Sequence, residues 1–108
     1  MKALITGASS GIGEEIAKEL GKRGYDIILV ARNEEKLKDV ASKIKTNTKI
    51  ITMDLSNKEN CEKLYEETKI DDIDILINNH GFGVHVNFCV TVLGKEVKLI
   101  EKKIIEVQ

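Results

Sequence analysis

The chain has 108 residues, 42% of them hydrophobic and 32% charged, with 17 basic against 18 acidic side chains and a formal net charge of −1. That describes one globular domain near the small end of the usual range, and the even charge gives no bulk attraction to nucleic acid or to an anionic membrane. The longest apolar runs, such as IILVA at 27–31, are far too short to span a bilayer, and Cys61 and Cys89 make neither a metal pair nor a disulfide framework by spacing, so they read as reduced thiols of a cytoplasmic protein.

ALIT (3–6) is a short apolar strand. The glycine-rich stretch TGASSGIG (6–13) follows, and Ile12, Ile16, Ala17 and Leu20 then recur at helical spacing. Gly24 is placed to end that helix in a left-handed cap. DIILVA (26–31) is a continuous apolar run, as expected of a strand buried on both faces. Asn33 reads as an N-cap, with Glu34 and Glu35 favourable in the first turn and Leu37, Val40, Ala41 and Ile44 as the apolar stripe behind them. KIITMD (49–54) predicts a third strand. In SNKE (56–59), Ser56 caps the next helix and Glu59 reaches back, a capping box. Cys61, Leu64, Tyr65 and Thr68 form the inner face of that helix, and DIDILIN (72–78) is a fourth strand.

Strands alternating with helices predict a parallel sheet with helices on its faces, a Rossmann-like doubly wound α/β sheet in a single domain over 1–108. The tail, 84–108, breaks the pattern. Val84, Val86, Phe88, Val90 and Val92 alternate with polar residues, as in a strand or extended segment. Leu93, Val97, Ile100, Ile104 and Val107 recur at steps of four and three, which predicts a terminal helix.

The loop lies where phosphate chemistry needs it, between the first strand and the first helix. Gly7 permits a tight exit from the strand, Gly11 lets backbone approach a pyrophosphate without a Cβ in the way, and Gly13 lets the helix pack close to the sheet. The helix N-terminus offers unpaired N–H groups and partial positive charge to the phosphates. The end of the second strand bears on which dinucleotide is held. It reads VARN, with no carboxylate before Glu34 to take a ribose 2′-hydroxyl, while Arg32 suits a 2′-phosphate; NADP is therefore favoured over NAD.

TGASSGIG, VARNEEKL, MDLS (53–56) and INNHGFG (77–83) together resemble the N-terminal half of the short-chain dehydrogenases/reductases, in order and in spacing. The resemblance runs from about Met1 to Gly83 and more loosely beyond. It implies a nicotinamide cofactor and hydride transfer to or from a carbonyl or alcohol. It also implies that Gly7, Gly11, Ile12 and Gly13 form the pyrophosphate turn, with Ser9 and Ser10 near the adenosine phosphates. Arg32 would lie by the 2′-phosphate, with Asn33 also at the cofactor, Asp54 and Leu55 beside the adenine, and Asn78 and Gly81 beside the adenine-side ribose, with Asn79 steadying the central strand. His80 departs from the family's usual alanine, and Lys103 stands at or near a helical asparagine that holds a catalytic water.

The family's catalytic serine, tyrosine and lysine would follow downstream of INNHGFG, so the 108 residues are expected to bind NADP without catalysing by themselves. YEETK (65–69) imitates the Tyr-x-x-x-Lys spacing but precedes that motif, and reads as core Tyr65 plus a helix-end Lys69. No metal site is expected at His80 or His85, which have no ligand cluster around them. The fourth strand's far edge would be bare; the alternating segment 84–92 could fold back over it or a second copy could cover it, and a homodimer or swapped assembly through that edge and the terminal helix is predicted. Two other readings stand beside this one: a non-enzymatic dinucleotide-binding or dimerisation module, and a remnant without function.

Overall fold

The computed structural model describes residues 1–9, 11–79 and 103–106. Five strands and three helices are found among them. In chain order they are β1 (Lys2–Thr6), α1 (Gly11–Lys22), β2 (Asp26–Ala31), α2 (Glu34–Ser42), β3 (Thr48–Thr52), α3 (Lys58–Thr68), β4 (Ile73–Asn78) and β5 (Lys103–Glu106). The strands form one parallel sheet in the order β3-β2-β1-β4-β5.

Side chains alternate across the sheet and build a core on each face. Ala3 and Ile5 of β1, with Ile27 and Leu29 of β2, pack against Ala17 of α1 and Leu37 and Val40 of α2. Leu4, Ile28, Val30 and Leu76 pack on the other face against Cys61 and Leu64 of α3. Two helices thus cover one face and the third covers the other, which is the doubly wound arrangement expected from the sequence. Tyr65 packs partly buried on the α3 side, as its stripe predicted.

The helix ends match two of three expectations. At the end of α1, Gly24 adopts φ +93°, the Gly24 N–H bonds Gly21 O at 3.0 Å and the Tyr25 N–H bonds Leu20 O at 3.1 Å. That pair of bonds is the left-handed glycine cap. Asn33 Oδ1 accepts from the Lys36 N–H at 3.1 Å and starts α2. For α3 the expected cap is corrected: Asn57, not Ser56, is the N-cap, its Oδ1 accepting from the Glu59 N–H at 2.8 Å. Ser56 is instead held by the preceding turn, its N–H and hydroxyl both donating to Asp54 Oδ1, at 3.0 and 2.7 Å.

Three further expectations change. Ile12 is 54% exposed rather than part of the α1 stripe. Cys61 is disulfide-bonded rather than a reduced thiol, and Cys89 lies outside the described residues. Residues 103–106, expected in a terminal helix, form β5, paired with β4 from Ile75–Lys103 to Asn78–Glu106. Helical spacing competes there with the adjacent β-branched pair Ile104–Ile105, beside an edge whose backbone groups need partners, and the edge wins. The far side of β4 is therefore covered within the chain. The rest of the 84–108 tail, including the alternating segment 84–92, lies outside the described residues.

Candidate functional site

The strand order reverses between β1 and β4, and in open parallel sheets ligands bind beyond the carboxyl ends of the strands at that point. The glycine loop leaves β1 there, and Asn79 follows β4 there. Thr6, 1% exposed at the end of β1, donates its hydroxyl to Asn78 Oδ1 at 3.0 Å and accepts the Asn79 N–H at 3.1 Å. The Asn79 side-chain amide donates to Gly7 O at 3.2 Å. The Ala8 N–H bonds Val30 O of β2 at 3.1 Å. The loop is thus moored to both neighbouring strands.

Each glycine of the loop answers a different demand. Gly7 has φ +62°, and a Cβ there would run into the Asn79 carbonyl oxygen. A Cβ on Gly13 would run into Gly7 O and come within 2.7 Å of Asn79 Nδ2, so this glycine sets the close approach of α1 to the sheet. A Cβ on Gly11 would meet nothing within 4 Å. Packing explains the first two and leaves the third facing open space, beside the amides of a helix N-terminus. Glu14, the acidic residue of that first turn, is engaged by Lys18 at 3.7 Å and Lys43 at 3.3 Å. Hydrogen bonds to Asp39 and Glu14 raise the Lys43 ammonium above its ordinary value.

From the loop an open cleft of about 820 Å³ runs across the ends of β2 and β3. Gly7, Ser9, Ala31, Met53, Leu55 and Asn79 line its inner part. Arg32, Asn33, Glu34, Glu35 and Lys36 line the end formed by the β2–α2 turn. Arg32 is exposed and has no ion pair within 4.0 Å among the described residues.

The short chain dehydrogenase family profile matches residues 1–101. The chain belongs to that family. Among curated short-chain relatives, the very-long-chain 3-oxoacyl-CoA reductase of Coccidioides immitis (strain RS) is 50% identical over 88 residues, 75% of this chain and 25% of that protein. Among solved structures, the bulky-bulky ketone specific alcohol dehydrogenase of Comamonas testosteroni is 31% identical with a TM-score of 0.79, over 89% of this chain and 49% of that one. A metagenomic short-chain oxidoreductase in complex with NADP superposes with a TM-score of 0.88 over 98% of this chain and 61% of that one; at 24% identity the likeness is one of fold. The chain therefore spans about a quarter of that curated relative's length.

As a short chain dehydrogenase, the chain has residues that fit a dinucleotide: a left-handed Gly7, an open space over Gly11, a helix N-terminus and a cleft ending at Arg32, which has no ion pair among the described residues. Gly7, Ser9, Arg32, Asn33 and Leu55 line that cleft. Gly11, Ile12 and Gly13 form the adjoining first turn of α1. Two expected residues also hold the fold together. The Asp54 carboxylate holds Ser56, while its carbonyl accepts from Asn60 Nδ2 at 2.7 Å. Asn78 is 5% exposed and bonded to Thr6, so Asn79 rather than Asn78 reaches the cleft. Ser10 and Gly81 lie outside the described residues, as do His80 and His85.

Sequence reasoning passed over Thr6 as a mooring point and Lys36 and Met53 as cleft residues. The bare threonine at the head of TGASSGIG was the available signal for the first. YEETK is set apart from the cleft, on α3, with Lys69 bonded to Glu66 at 2.7 Å; that hydrogen bond and the glutamate's charge raise the Lys69 ammonium. Among the described residues no group of three His, Cys, Asp or Glu side chains is placed to hold a metal, and no helix is long and apolar enough to cross a membrane.

Proposed function

We propose that these residues form the NADP-binding part of a short chain dehydrogenase whose whole-protein activity is NADPH-dependent interconversion of a carbonyl and an alcohol. The open space over Gly11, in a loop whose other glycines are explained by packing, carries the reading. There the pyrophosphate would meet backbone N–H groups and the positive end of α1. Arg32 supports the choice of NADP, because an unpaired guanidinium suits a 2′-phosphate. When bound, the cofactor supplies a hydride; the chain's own part is to hold and orient it. Ser9 would add a hydroxyl by the phosphates, and Leu55 and Met53 an apolar wall for the adenine.

The 108 residues are proposed to bind without catalysing alone. They contain two tyrosines, and the one followed at the right interval by a lysine, Tyr65, packs under α3 with its Lys69 tied to Glu66. A homodimer belongs to the same proposal, restated for β5, whose outer side is the sheet's edge among the described residues.

NADPH fluorescence titration tests the central claim. Saturable binding, weakened about tenfold or more in Arg32→Ala while NADH binding stays put, is expected. No saturation up to millimolar cofactor would remove the claim, and tighter binding of NADH would reverse the role of Arg32. Steady NADPH oxidation with a panel of ketones by these 108 residues would overturn the absence of catalysis.

A further inference from the structure

We propose that Lys43 is a positioning residue for the cofactor's phosphates: it holds and neutralises the Glu14 carboxylate, which would otherwise oppose a pyrophosphate at the N-terminus of α1. The inference rests on the dinucleotide reading above, though not on the choice of NADP, and adds a residue to it.

A carboxylate in the first turn of a helix is attracted to the same positive end that attracts a phosphate. Glu14 is that carboxylate in α1. It follows Gly11 by three residues, so the two share a side of the helix. Helical side chains lean towards the N-terminus, and a loose Glu14 would therefore lean towards the open space over Gly11. There it would repel a pyrophosphate and compete with it for the helix end.

Two lysines meet this carboxylate. Lys18 Nζ is 3.7 Å from Glu14 Oε2 but 3.0 Å from Glu15 Oε1, so its hydrogen bond goes to Glu15. Lys43, the C-cap of α2, donates to Glu14 Oε2 at 3.3 Å from 29 residues away, and lies 3.2 Å from the exposed Asp39 on its own helix. Among the described residues this is the ion pair that joins α1 to the end of α2. The Lys43 side chain is 45% exposed and that of Glu14 23%, so the bridge is too open to add much to stability. Its place beside the first turn of α1 gives it an electrostatic use instead. It ties the one acidic group of that turn to α2 and balances its charge.

The test titrates NADPH and NADH into the whole chain and into Lys43→Gln, Glu14→Gln, the double variant and Lys38→Gln. Lys38 is exposed on α2, outside the cleft lining and without an ion pair among the described residues, so its variant repeats the change in net charge. Lys43→Gln is expected to weaken NADPH and NADH by the same factor, about fivefold at low salt and less at high salt. Adding Glu14→Gln is expected to restore both affinities, which would also set aside Asp39, freed by the same lysine. Glu14→Gln alone is expected to bind at least as tightly as the unsubstituted chain, and Lys38→Gln to change neither affinity. A bridge with a purely structural role would leave the double variant as weak as Lys43→Gln, because the bridge is still missing. That outcome, an unchanged affinity in Lys43→Gln, an equal loss in Lys38→Gln, or weakening of NADPH alone would overturn the role of Lys43 while leaving dinucleotide binding in place. Failure of the unsubstituted chain to bind either dinucleotide would instead sink the reading on which the proposal rests, and the proposal with it.

Discussion

Gly7 and Gly11 stand four residues apart and answer to different constraints, and substitution separates them. Gly7→Ala forces a side chain into a left-handed conformation and against the Asn79 carbonyl; a loss of at least about 2 kcal/mol is expected in urea unfolding. Gly11→Ala meets nothing within 4 Å, so stability is expected to change by less than about 1 kcal/mol. NADPH affinity is nonetheless expected to fall tenfold or more, because the added methyl stands where the pyrophosphate would approach. If Gly11→Ala bound normally, the open space would have another use. The sequence carried this contrast only halfway: it assigned roles to all three glycines, but the mooring by Thr6 and Asn79 needed partners 72 or 73 residues apart.

Asp71 adds an acid-sensitive contribution at the opposite end of the sheet. It receives Lys2 Nζ at 2.9 Å and Lys49 Nζ at 3.3 Å. Burial works to raise its carboxyl, and the hydrogen bonds and charges of the two lysines outweigh it, so the carboxyl lies below its ordinary 3.8. Its stabilising contribution is full above that ordinary value and is lost as pH falls through the lowered folded one. Asp71→Asn is expected to cost about 1 kcal/mol near neutral pH, since the lysine ends are partly solvated and screened. It should also flatten the stability curve below about pH 4. An unchanged acid limb would mean that the triad holds nothing together.

At the scale of elements, periodicity and caps were legible where local chemistry decides, and illegible where a neighbour does. Asn33, Gly24 and β2 are local matters, and each is where its residues put it. The start of α3 was a contest between two adjacent polar residues. Ser56 had the spacing to Glu59, but the Asp54 carboxylate captured it, leaving Asn57 to cap. Asn57→Ala is expected to lower stability by about 1 kcal/mol, and Ser56→Ala, which removes one exposed hydroxyl bond, by about half that or less. The reverse order in thermal unfolding would restore the capping box. β5 was beyond local reading altogether, since KIIE becomes a strand only because β4 presents an edge to it.

At the scale of the molecule, two cores share one sheet, and among the described residues the sheet ends in a four-residue strand, β5. Bare edges favour pairing with another chain, so sedimentation at tens of micromolar is expected to return a dimer. Only monomer at that concentration would assign the edge to solvent. The fold class was legible because alternating strands and helices leave few topologies. The edge that a second copy would use was not, because it moved from β4 to β5 with the fate of four residues.

The mooring of Gly7 by Asn79 has a consequence in time. The two residues are 72 positions apart, so a nascent chain has to release Asn79 before the phosphate loop finds that partner. Until then the loop has the Ala8–Val30 bond to β2 without its hold on β4. Under the proposed function, NADPH present during synthesis would favour the docking of β4, after which β5 still has to pair.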